Sequence, residues 1–292
     1  MTEDEIILTH ILQCQPIDLV LRKPALTLSQ QKQFENYKAR RQAGEPLQYI
    51  LGTCNFMGLE LAVNPSVLIP RPETEQLVDA ALKCFKGGSG LDLGTGSGNI
   101  AVALAKFVPQ SQVVSVDVSA KALEVARANA RRHGVEDRIQ FIEADILVSL
   151  REDLRGVIAR SVFQRRSNLF KRLLRFARND TGKRDSNDME LFDLIISNPP
   201  YIPTSELCQL PRDVQQEPLA ALDGGEDGLN FYRIIIKYTP YLLRGGACLM
   251  MEFGDGQAEA VEKLVEAQKA FSGIEIIQDL AGRDRIILAR EK

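Results

Sequence analysis

The sequence LDLGTGSGNIA, residues 91–101, sets an apolar run directly before three glycines that alternate with small polar residues. The apolar run is typical of a buried strand, and residues 99–108 have the apolar spacing of a helix. A strand that passes through a glycine loop into a helix is typical of a ligand site at the carboxyl edge of an α/β sheet, although a purely structural turn has the same pattern. The loop lacks the lysine of a nucleotide triphosphatase. We expect its backbone to approach a ligand at Gly94, Gly96 and Gly98.

Outward from this loop, strand-like and helix-like segments alternate along the chain. Six further apolar runs have the length and composition of strands: VVSVDVS, IQFIEAD, FDLIISN, ACLMMEF, IEIIQ and RIILA. Ser119 before one helical segment and Gly134 after it are good end signals. Such alternation favours a parallel sheet with helices on both faces. The predicted fold class is α/β, with a doubly wound, mostly parallel, seven-stranded Rossmann-like sheet.

The part of the chain before residue 72 has a different pattern. Apolar residues at helical spacing, interrupted by Pro16 and Pro24, predict a small helical domain over residues 1–52. In residues 53–71 the apolar residues partly alternate, and Asn64-Pro65-Ser66 supplies a turn, which predicts a β-hairpin linker. Residues 72–292 then form the domain that contains the sheet.

Composition and charge exclude several classes of function. The chain has 45% apolar and 26% charged residues, as ordinary soluble proteins do. Its net charge of −3 predicts no general attraction to nucleic acid or to a membrane, and no apolar run approaches the ~18 residues of a membrane span. Two histidines and five well-separated cysteines argue against a metal site, a histidine base and a disulfide framework. We expect a monomer in the cytoplasm, where thiols stay reduced.

Residues 151–187 stand out as a basic segment. They contain 11 Lys/Arg and 4 Asp/Glu, a balance of +7, so the rest of the chain carries −10. The segment lies between the third and fourth predicted strands, where connections are usually shorter. Two interpretations stay open: a basic amphipathic helix that binds RNA or a partner, and a tolerated surface insertion. Outside this segment we expect no direct nucleic-acid binding.

Two aspartates follow the second and third predicted strands, at the same sheet edge as the glycine loop. Asp117 lies 21 residues beyond Gly96, a spacing at which a carboxylate accepts both hydroxyls of a ribose. Asp145 can accept a hydrogen bond from an adenine amino group. Either carboxylate can instead cap a helix. Together with the glycine loop, the two residues predict an adenosine site.

The fourth predicted strand ends in Asn198-Pro199-Pro200-Tyr201. Prolines cannot donate to a sheet ladder and they fix φ, so the segment is rigid. The plain interpretation is a strand terminator. The functional one is that the Asn198 side-chain oxygen and the Pro199 carbonyl hold both N–H groups of a planar nitrogen while Tyr201 lies against its face. Beside an adenosine site, the motif resembles the signature of S-adenosylmethionine-dependent methyltransferases that act on amides or exocyclic amines.

The resemblance extends to one family. Five motifs are similar, in order, to those of the peptide chain release factor glutamine N5-methyltransferases: GEPLQYILG (44–52), IPRPETE (69–75), LDLGTGSGNIA (91–101), SNPPYIP (197–203) and EPLAALDGGEDGLNFYR (217–233). The resemblance implies methyl transfer from S-adenosyl-L-methionine to the side-chain amide of the glutamine in the Gly-Gly-Gln loop of release factors. It also implies that the N-terminal helical domain helps to recognise that protein substrate.

The same resemblance implies roles for individual residues. The substrate amide is held by Asn198, Pro199, Pro200 and Tyr201, of which Asn198, Pro199 and Tyr201 are the catalytic residues. The cofactor-binding residues are Gly94, Thr95, Gly96, Ser97, Gly98, Asp117, Asp145, Ile146 and Asn198. Ile146 stands where the family often has an aromatic residue, which predicts weaker stacking on adenine, and the segment 151–187 is additional to the family pattern.

Two other functions stay open on the sequence alone. A nucleic-acid methyltransferase that acts on adenine N6 or guanine N2 uses a similar motif, but it needs a basic groove, which only residues 151–187 support. A non-catalytic cofactor-binding protein is the third possibility, and it does not require an intact Asn-Pro-Pro-Tyr. Glu73 and Glu75 can touch substrate or order the linker, and their clustering with Arg71 is equally consistent with surface ion pairs; we assign neither residue to the site.

Overall fold

The first part of the chain is helical, as predicted. In a computed structural model of the protein, which describes residues 1–22, 24–147 and 191–292, four helices precede the first strand. They are α1 (Glu3–Leu12), α2 (Pro16–Arg22), α3 (Leu28–Gln42) and α4 (Leu47–Leu51). Thr2 and Thr27 begin α1 and α3 with capping boxes, which satisfy backbone N–H groups at the helix ends. The basic segment 151–187 lies outside the described residues.

A two-stranded hairpin follows, formed by β1 (Thr53–Phe56) and β2 (Leu59–Ala62). Its turn is Met57-Gly58, with φ of 52° and 75°, as a two-residue turn between twisted strands requires. The prediction that Asn64-Pro65-Ser66 makes the hairpin turn is therefore wrong. Those residues form a separate turn, in which Ser66 N donates to Asn64 Oδ1 at 2.9 Å. The hairpin turn escaped prediction because methionine rarely adopts positive φ and gives no turn signal.

Seven strands form the central sheet: β3 (Gly88–Leu93), β4 (Ser111–Asp117), β5 (Ile139–Glu143), β6 (Phe192–Ser197), β7 (Leu243–Glu252), β8 (Phe271–Gln278) and β9 (Asp284–Glu291). Their order across the sheet is β5-β4-β3-β6-β7-β9-β8. The first five of these neighbours run parallel, and β9 runs antiparallel between β7 and β8. The predicted α/β class with a mostly parallel, seven-stranded Rossmann-like sheet is confirmed.

Helices pack on both faces of the sheet: α5 (Pro72–Cys84), α6 (Asn99–Phe107), α7 (Ala120–Arg132), α8 (Asn230–Tyr238) and α9 (Ala258–Ala267). In β6, Ile195 belongs to the hydrophobic cluster that contains α8 and α9, whereas Leu194 and Ile196 belong to the cluster that contains α5 and α6. A strand buried on both faces has a continuous apolar sequence, as FDLIIS does. None of the helices in the described ranges is long and apolar enough to cross a membrane.

The strand order decides which loops meet. The central strand β3 lies between β4 and β6, and Leu93 at its end pairs with Val116 on one side and Ser197 on the other. Because the three strands are parallel, the segments that follow them leave the sheet side by side at its carboxyl edge. The glycine loop, Asp117 and Asn198 therefore lie at one place.

Candidate active site

The glycine loop, residues 94–98, connects β3 to α6. Gly94, Gly96 and Gly98 have φ of 77°, 53° and 79°, values that favour glycine. A Cβ atom on Gly94 or Gly96 would meet nothing within 4 Å, whereas one on Gly98 would lie 2.9 Å from the Cβ of Ala126 in α7. The first two glycines thus border open space, and the third allows α6 to pack closely on α7.

Asp117 ends β4 and holds the loop from the side. Its Oδ2 accepts a hydrogen bond from Gly96 N at 2.8 Å, and its Oδ1 accepts one from Ser119 N at 2.9 Å. Burial raises the pKa of this carboxyl, and the backbone hydrogen bonds oppose that rise. Since each carboxylate oxygen has a second acceptor position, Asp117 can bind a hydroxyl group while it continues to hold the loop.

Two polar side chains of the loop, Thr95 and Ser97, are buried. Thr95 Oγ1 donates to Asp92 Oδ2 at 2.6 Å, and burial raises the pKa of Asp92 to about 7. Ser97 is buried, and its Oγ has no hydrogen-bond partner within the described part of the chain. Buried polar groups are nearly always paired in folded proteins, so an unpaired hydroxyl in a loop that borders open space fits a polar ligand.

Asp145 and Ile146 follow β5, next to the end of β4. Asp145 Oδ1 accepts from Leu147 N at 2.8 Å, which agrees with the helix-capping alternative for this residue. Ile146 is 7% exposed and packs in the cluster that contains α8. The backbone here is joined to the site, because Ala144 N donates to Asp117 O at 2.9 Å. The roles of Asp145 and Ile146 toward an adenine remain predictions.

Asn198 leaves β6 beside the glycine loop, where Ser197 Oγ donates to the Leu93 carbonyl at 2.6 Å. Its amide nitrogen Nδ2 donates to Thr74 Oγ1 at 2.9 Å, and Thr74 Oγ1 donates in turn to Glu252 Oε2 at 2.7 Å. Thr74 lies in the first turn of α5, and Glu252 is the last residue of β7. With Nδ2 engaged by protein, the Asn198 oxygen is the end of the amide that can meet a substrate.

Tyr201 is held by backbone on several sides. A Cβ atom placed on Gly224 would lie 2.8 Å from the Cα of Tyr201, and one placed on Gly228 would lie 2.3 Å from the Tyr201 carbonyl oxygen. One placed on Gly254 would lie 2.9 Å from the ring atom Cδ2 of Tyr201. Gln257 Nε2 donates to the Tyr201 carbonyl at 2.9 Å. Burial raises the pKa of the phenol to about 12, so this side chain is protonated near neutral pH and does not act as a base.

The prolines connect these two residues without strain. Pro199 is buried and Pro200 is half-buried, and the peptide bonds of the described residues are all trans. Beyond them, Ile202 N donates to Leu222 O at 3.0 Å and Ile202 O accepts from Gly224 N at 2.8 Å. The Asn-Pro-Pro-Tyr segment is therefore fixed by β6 at one end and by a backbone bridge at the other.

A cavity of about 130 Å³ opens beside Asn198 and Tyr201. The other residues that line it are Leu68, Arg71, Ile202, Val214, Ala221 and Leu222. It is a small pocket with one charged side chain in its wall. Its size suits a side chain rather than a whole nucleotide.

An ion pair between the half-buried Arg71 and the buried Glu217 lies on one side of this cavity. Arg71 Nη2 donates to Glu217 Oε1 at 2.5 Å, and Glu217 Oε2 accepts from Ile69 N at 3.2 Å. Burial raises the pKa of Glu217, although Arg71 opposes that rise. Of the alternatives left open for Glu73, Glu75 and Arg71, surface pairing of Arg71 with these glutamates is not what the structure shows, and Glu75 agrees with the linker-ordering alternative. Glu75 instead accepts from Met57 N at 2.6 Å and fixes the hairpin turn.

Sequence analysis missed the side chains that support the site. Thr74 and Glu252 hold Asn198, Glu217 orients Arg71, and Asn129 in α7 ties the loop to the hairpin through Ser97 O at 2.9 Å. One signal for Glu252 was present, because a lone acidic residue at the end of the apolar run ACLMMEF is seldom buried without a purpose.

Comparison with known proteins gives matches over both parts of the chain. A family model described as PrmC N-terminal domain matches residues 2–52, and one described as methyltransferase domain matches residues 85–162. The release factor glutamine methyltransferase of Moorella thermoacetica is 39% identical, over 86% of this chain and 76% of its own. The release factor glutamine methyltransferase of Thermodesulfovibrio yellowstonii is 35% identical, and the match covers 99% of this chain and 92% of that one. A methyltransferase structure from Pyrococcus furiosus superposes with a TM-score of 0.50 at 16% identity, covering 88% of this chain and 98% of that one.

The likeness of the fold to a solved methyltransferase, and the site at the carboxyl edge of the sheet, assign the molecule to the class of Rossmann-like methyltransferases. Within that class the sequence identities are decisive, since they extend over most of both chains. The chain belongs to the release factor glutamine methyltransferase family. This family is favoured over the nucleic-acid methyltransferase and the non-catalytic protein that the sequence left open.

Proposed function

We propose that the protein transfers a methyl group from S-adenosyl-L-methionine to the side-chain amide nitrogen of the glutamine in the Gly-Gly-Gln loop of peptide chain release factors. The observation that carries the proposal is that β3 and β6 are direct neighbours. The cofactor loop and the amide-binding segment then leave the sheet together, which is the arrangement that a reaction between two bound molecules needs.

The residues at the edge of β3 and β4 fit the cofactor. Open space borders Gly94 and Gly96, the Ser97 hydroxyl lacks a partner among the described residues, and Asp117 retains acceptor positions for a ribose. When bound, S-adenosylmethionine supplies an electrophilic methyl group. Thr95 and Gly98 shape the loop, whereas Asp145 and Ile146 are the candidates for the adenine end.

The residues at the end of β6 fit a primary amide. An amide nitrogen is a poor nucleophile because its lone pair is delocalised into the carbonyl. Two acceptors, Asn198 Oδ1 and the Pro199 carbonyl, can hold both of its N–H groups and favour the tetrahedral nitrogen that forms during transfer. Tyr201 offers an aromatic face, and Pro200 fixes the spacing between these groups. No base is required while the amide is held, which agrees with the protonated Tyr201.

We also propose a division of labour along the chain. Residues 1–52 recognise the release factor, residues 53–71 link and orient the two parts, and residues 72–292 carry out the transfer. The match of residues 2–52 to a family-specific N-terminal model supports this division. We expect the protein to act as a monomer in the cytoplasm, and light scattering on the purified protein tests its oligomeric state.

The direct test is methyl transfer from labelled S-adenosylmethionine. The substrates to compare are a release factor with an unmodified Gly-Gly-Gln loop, the same factor with that glutamine replaced by alanine, ribosomal RNA and DNA. We expect label only in the first. Label in either nucleic acid would instead support the exocyclic-amine activity, and label in none, with the cofactor bound, would support a non-catalytic role.

A further inference from the structure

The half-buried Asn198 and two buried side chains, Thr74 and Glu252, form one line of hydrogen bonds at the substrate amide site. Asn198 Nδ2 lies 2.9 Å from Thr74 Oγ1, which lies 2.7 Å from Glu252 Oε2. Thr74 and Glu252 are each 1% exposed, so solvent does not compete for these bonds. The three residues come from the segment directly after β6, from α5 and from β7, so the line exists only in the folded molecule.

The chemistry of this line decides which way the Asn198 amide faces. An ionised carboxylate can only accept, so Thr74 must give its single hydroxyl proton to Glu252. The threonine oxygen is then an acceptor toward Asn198, and it selects the amide nitrogen. The Asn198 oxygen is left to face a substrate. A protonated Glu252 can donate to Thr74, whose own proton then selects the Asn198 oxygen and turns the amide around.

We propose that Glu252 and Thr74 are positioning residues that keep the oxygen of Asn198 directed at the substrate amide, and that ionisation of Glu252 sets that orientation. The proposal rests on the proposed function, because it concerns the same amide site. The reversed amide presents N–H groups to the N–H groups of the substrate, and two donors cannot bond to each other. Rotation of one side chain thus separates an active from an inactive site.

The surroundings of Glu252 make this orientation dependent on pH near neutrality. Burial raises the pKa of its carboxyl to about 7, with opposing contributions from nearby charges. The charged and titratable groups that face it are Arg71, Glu73, Tyr201, Tyr232 and Arg285. Of these, the arginines favour the carboxylate and Glu73 disfavours it. The carboxylate form that orients Asn198 is therefore lost as the pH falls below about 7.

The first test compares two substitutions of one residue. Thr74→Val keeps the shape of the side chain but removes the hydroxyl that orients Asn198. It should lower the single-turnover rate by about 10–10²-fold, because the Asn198 oxygen is then not held toward the substrate amide in the transition state. The affinities for S-adenosylhomocysteine and for the release factor should change by less than about twofold, since neither contacts Thr74 in this account. Thr74→Ser should restore the rate. Thr239→Val is the packing control, because Thr239 is similarly buried and its hydroxyl donates to Ile235 O in α8 rather than to a residue of the site.

The second test uses pH and does not depend on the valine variant folding. The wild-type single-turnover rate should fall below about pH 7 with the titration of one group. Glutamine at position 252 does not titrate, so the rate of Glu252→Gln should lack this acidic limb. A Thr74→Val protein with the wild-type rate, or a Glu252→Gln protein that retains the limb, would overturn the proposal. Absence of release factor methylation by the wild type would instead overturn the proposed function.

Discussion

Asp117 uses one carboxylate for two purposes. It holds the glycine loop through Gly96 N and the start of α7 through Ser119 N, and it is the residue we expect to bind the ribose. Its spacing from Gly96 made it predictable, but its bond to that glycine was not, because the sequence does not specify which atoms of a loop face a strand end. The loop and the predicted ribose site are thus held by one side chain.

Two substitutions test the predicted ribose contact. Asp117→Ala should weaken the binding of S-adenosylhomocysteine, because each charge-assisted contact to a hydroxyl contributes about 1.5–3 kcal/mol. Asp117→Asn should lose less, since its remaining oxygen still accepts. Calorimetric titration measures both affinities, and Glu143→Ala, at an exposed carboxylate that ends β5, is the control. Wild-type affinity in a folded Asp117→Ala protein would show that the ribose lies elsewhere.

At the scale of elements, the loop between Leu219 and Asn230 holds Tyr201 as firmly as β6 holds Asn198. Gly224 and Gly228 of DGGEDG are required because the Tyr201 backbone occupies the positions of their Cβ atoms, whereas a Cβ atom on Gly225 would meet the side chain of Asn230. This explains why a motif that is distant in sequence accompanies Asn-Pro-Pro-Tyr. Its function is to position a chain segment, and its residues need not touch a substrate.

A matched pair of glycines tests this explanation. Gly228 and Gly246 have φ of 75° and 81°, so alanine is strained at both, by about 1–2 kcal/mol. Only at Gly228 would the new Cβ meet Tyr201, 2.3 Å from its carbonyl oxygen, whereas nothing lies within 4 Å at Gly246. Gly228→Ala should therefore lower the methylation rate by about 10²-fold, as misplacement of a substrate contact does, and Gly246→Ala should not. Equal rates in the two variants would contradict the assigned role of the loop.

Much of the fold was predictable from local patterns, and the supporting contacts were not. The strand and helix segments follow from apolar periodicity, and the carboxyl-edge location of the site follows from a parallel sheet. The hairpin turn was misplaced because Met57 gives no turn signal, whereas Asn64-Pro65-Ser66 gives a strong one. The bonds that join Asn198 to Thr74 and Glu252 cross 124 and 178 residues of chain, and no local rule links residues so far apart.

At the scale of the whole molecule, the buried Glu252 couples stability to pH. Its pKa is about 7 in the folded protein and 4.5 ordinarily, so its favourable contribution is complete below about pH 4.5 and is lost as the pH rises through 7. Relative to Glu252→Gln, the wild type should lose about 3 kcal/mol of unfolding free energy over this window. Urea unfolding at about pH 5 and pH 8 measures the difference. Glu266→Gln, at an exposed site in α9, is the control. A difference in unfolding free energy between wild type and Glu252→Gln that does not change with pH would refute the raised pKa of Glu252.

The basic segment 151–187 is predicted to be dispensable for catalysis. Because β4 and β3 lie between β5 and β6, the end of β5 and the start of β6 are about 24 Å apart from strand spacing and length. A linker of about eight Gly/Ser residues, with the six native residues that flank the segment, can span it. The shortened protein should fold and methylate release factor within about twofold of wild type, because loop closure depends weakly on length. Lost methylation in a folded protein would show that the segment has a function, and lost RNA binding would identify it.

The central claim is that the oxygen of Asn198 holds the substrate amide in the transition state. The measurement is single-turnover methylation of a release factor with an unmodified Gly-Gly-Gln loop, at saturating cofactor, by Asn198→Ala and by Asn64→Ala, an exposed control. We predict that Asn198→Ala reduces the rate by about 10²–10³-fold, as the loss of one transition-state hydrogen bond does, with a smaller change in cofactor affinity. A rate near that of wild type would remove Asn198 from the mechanism.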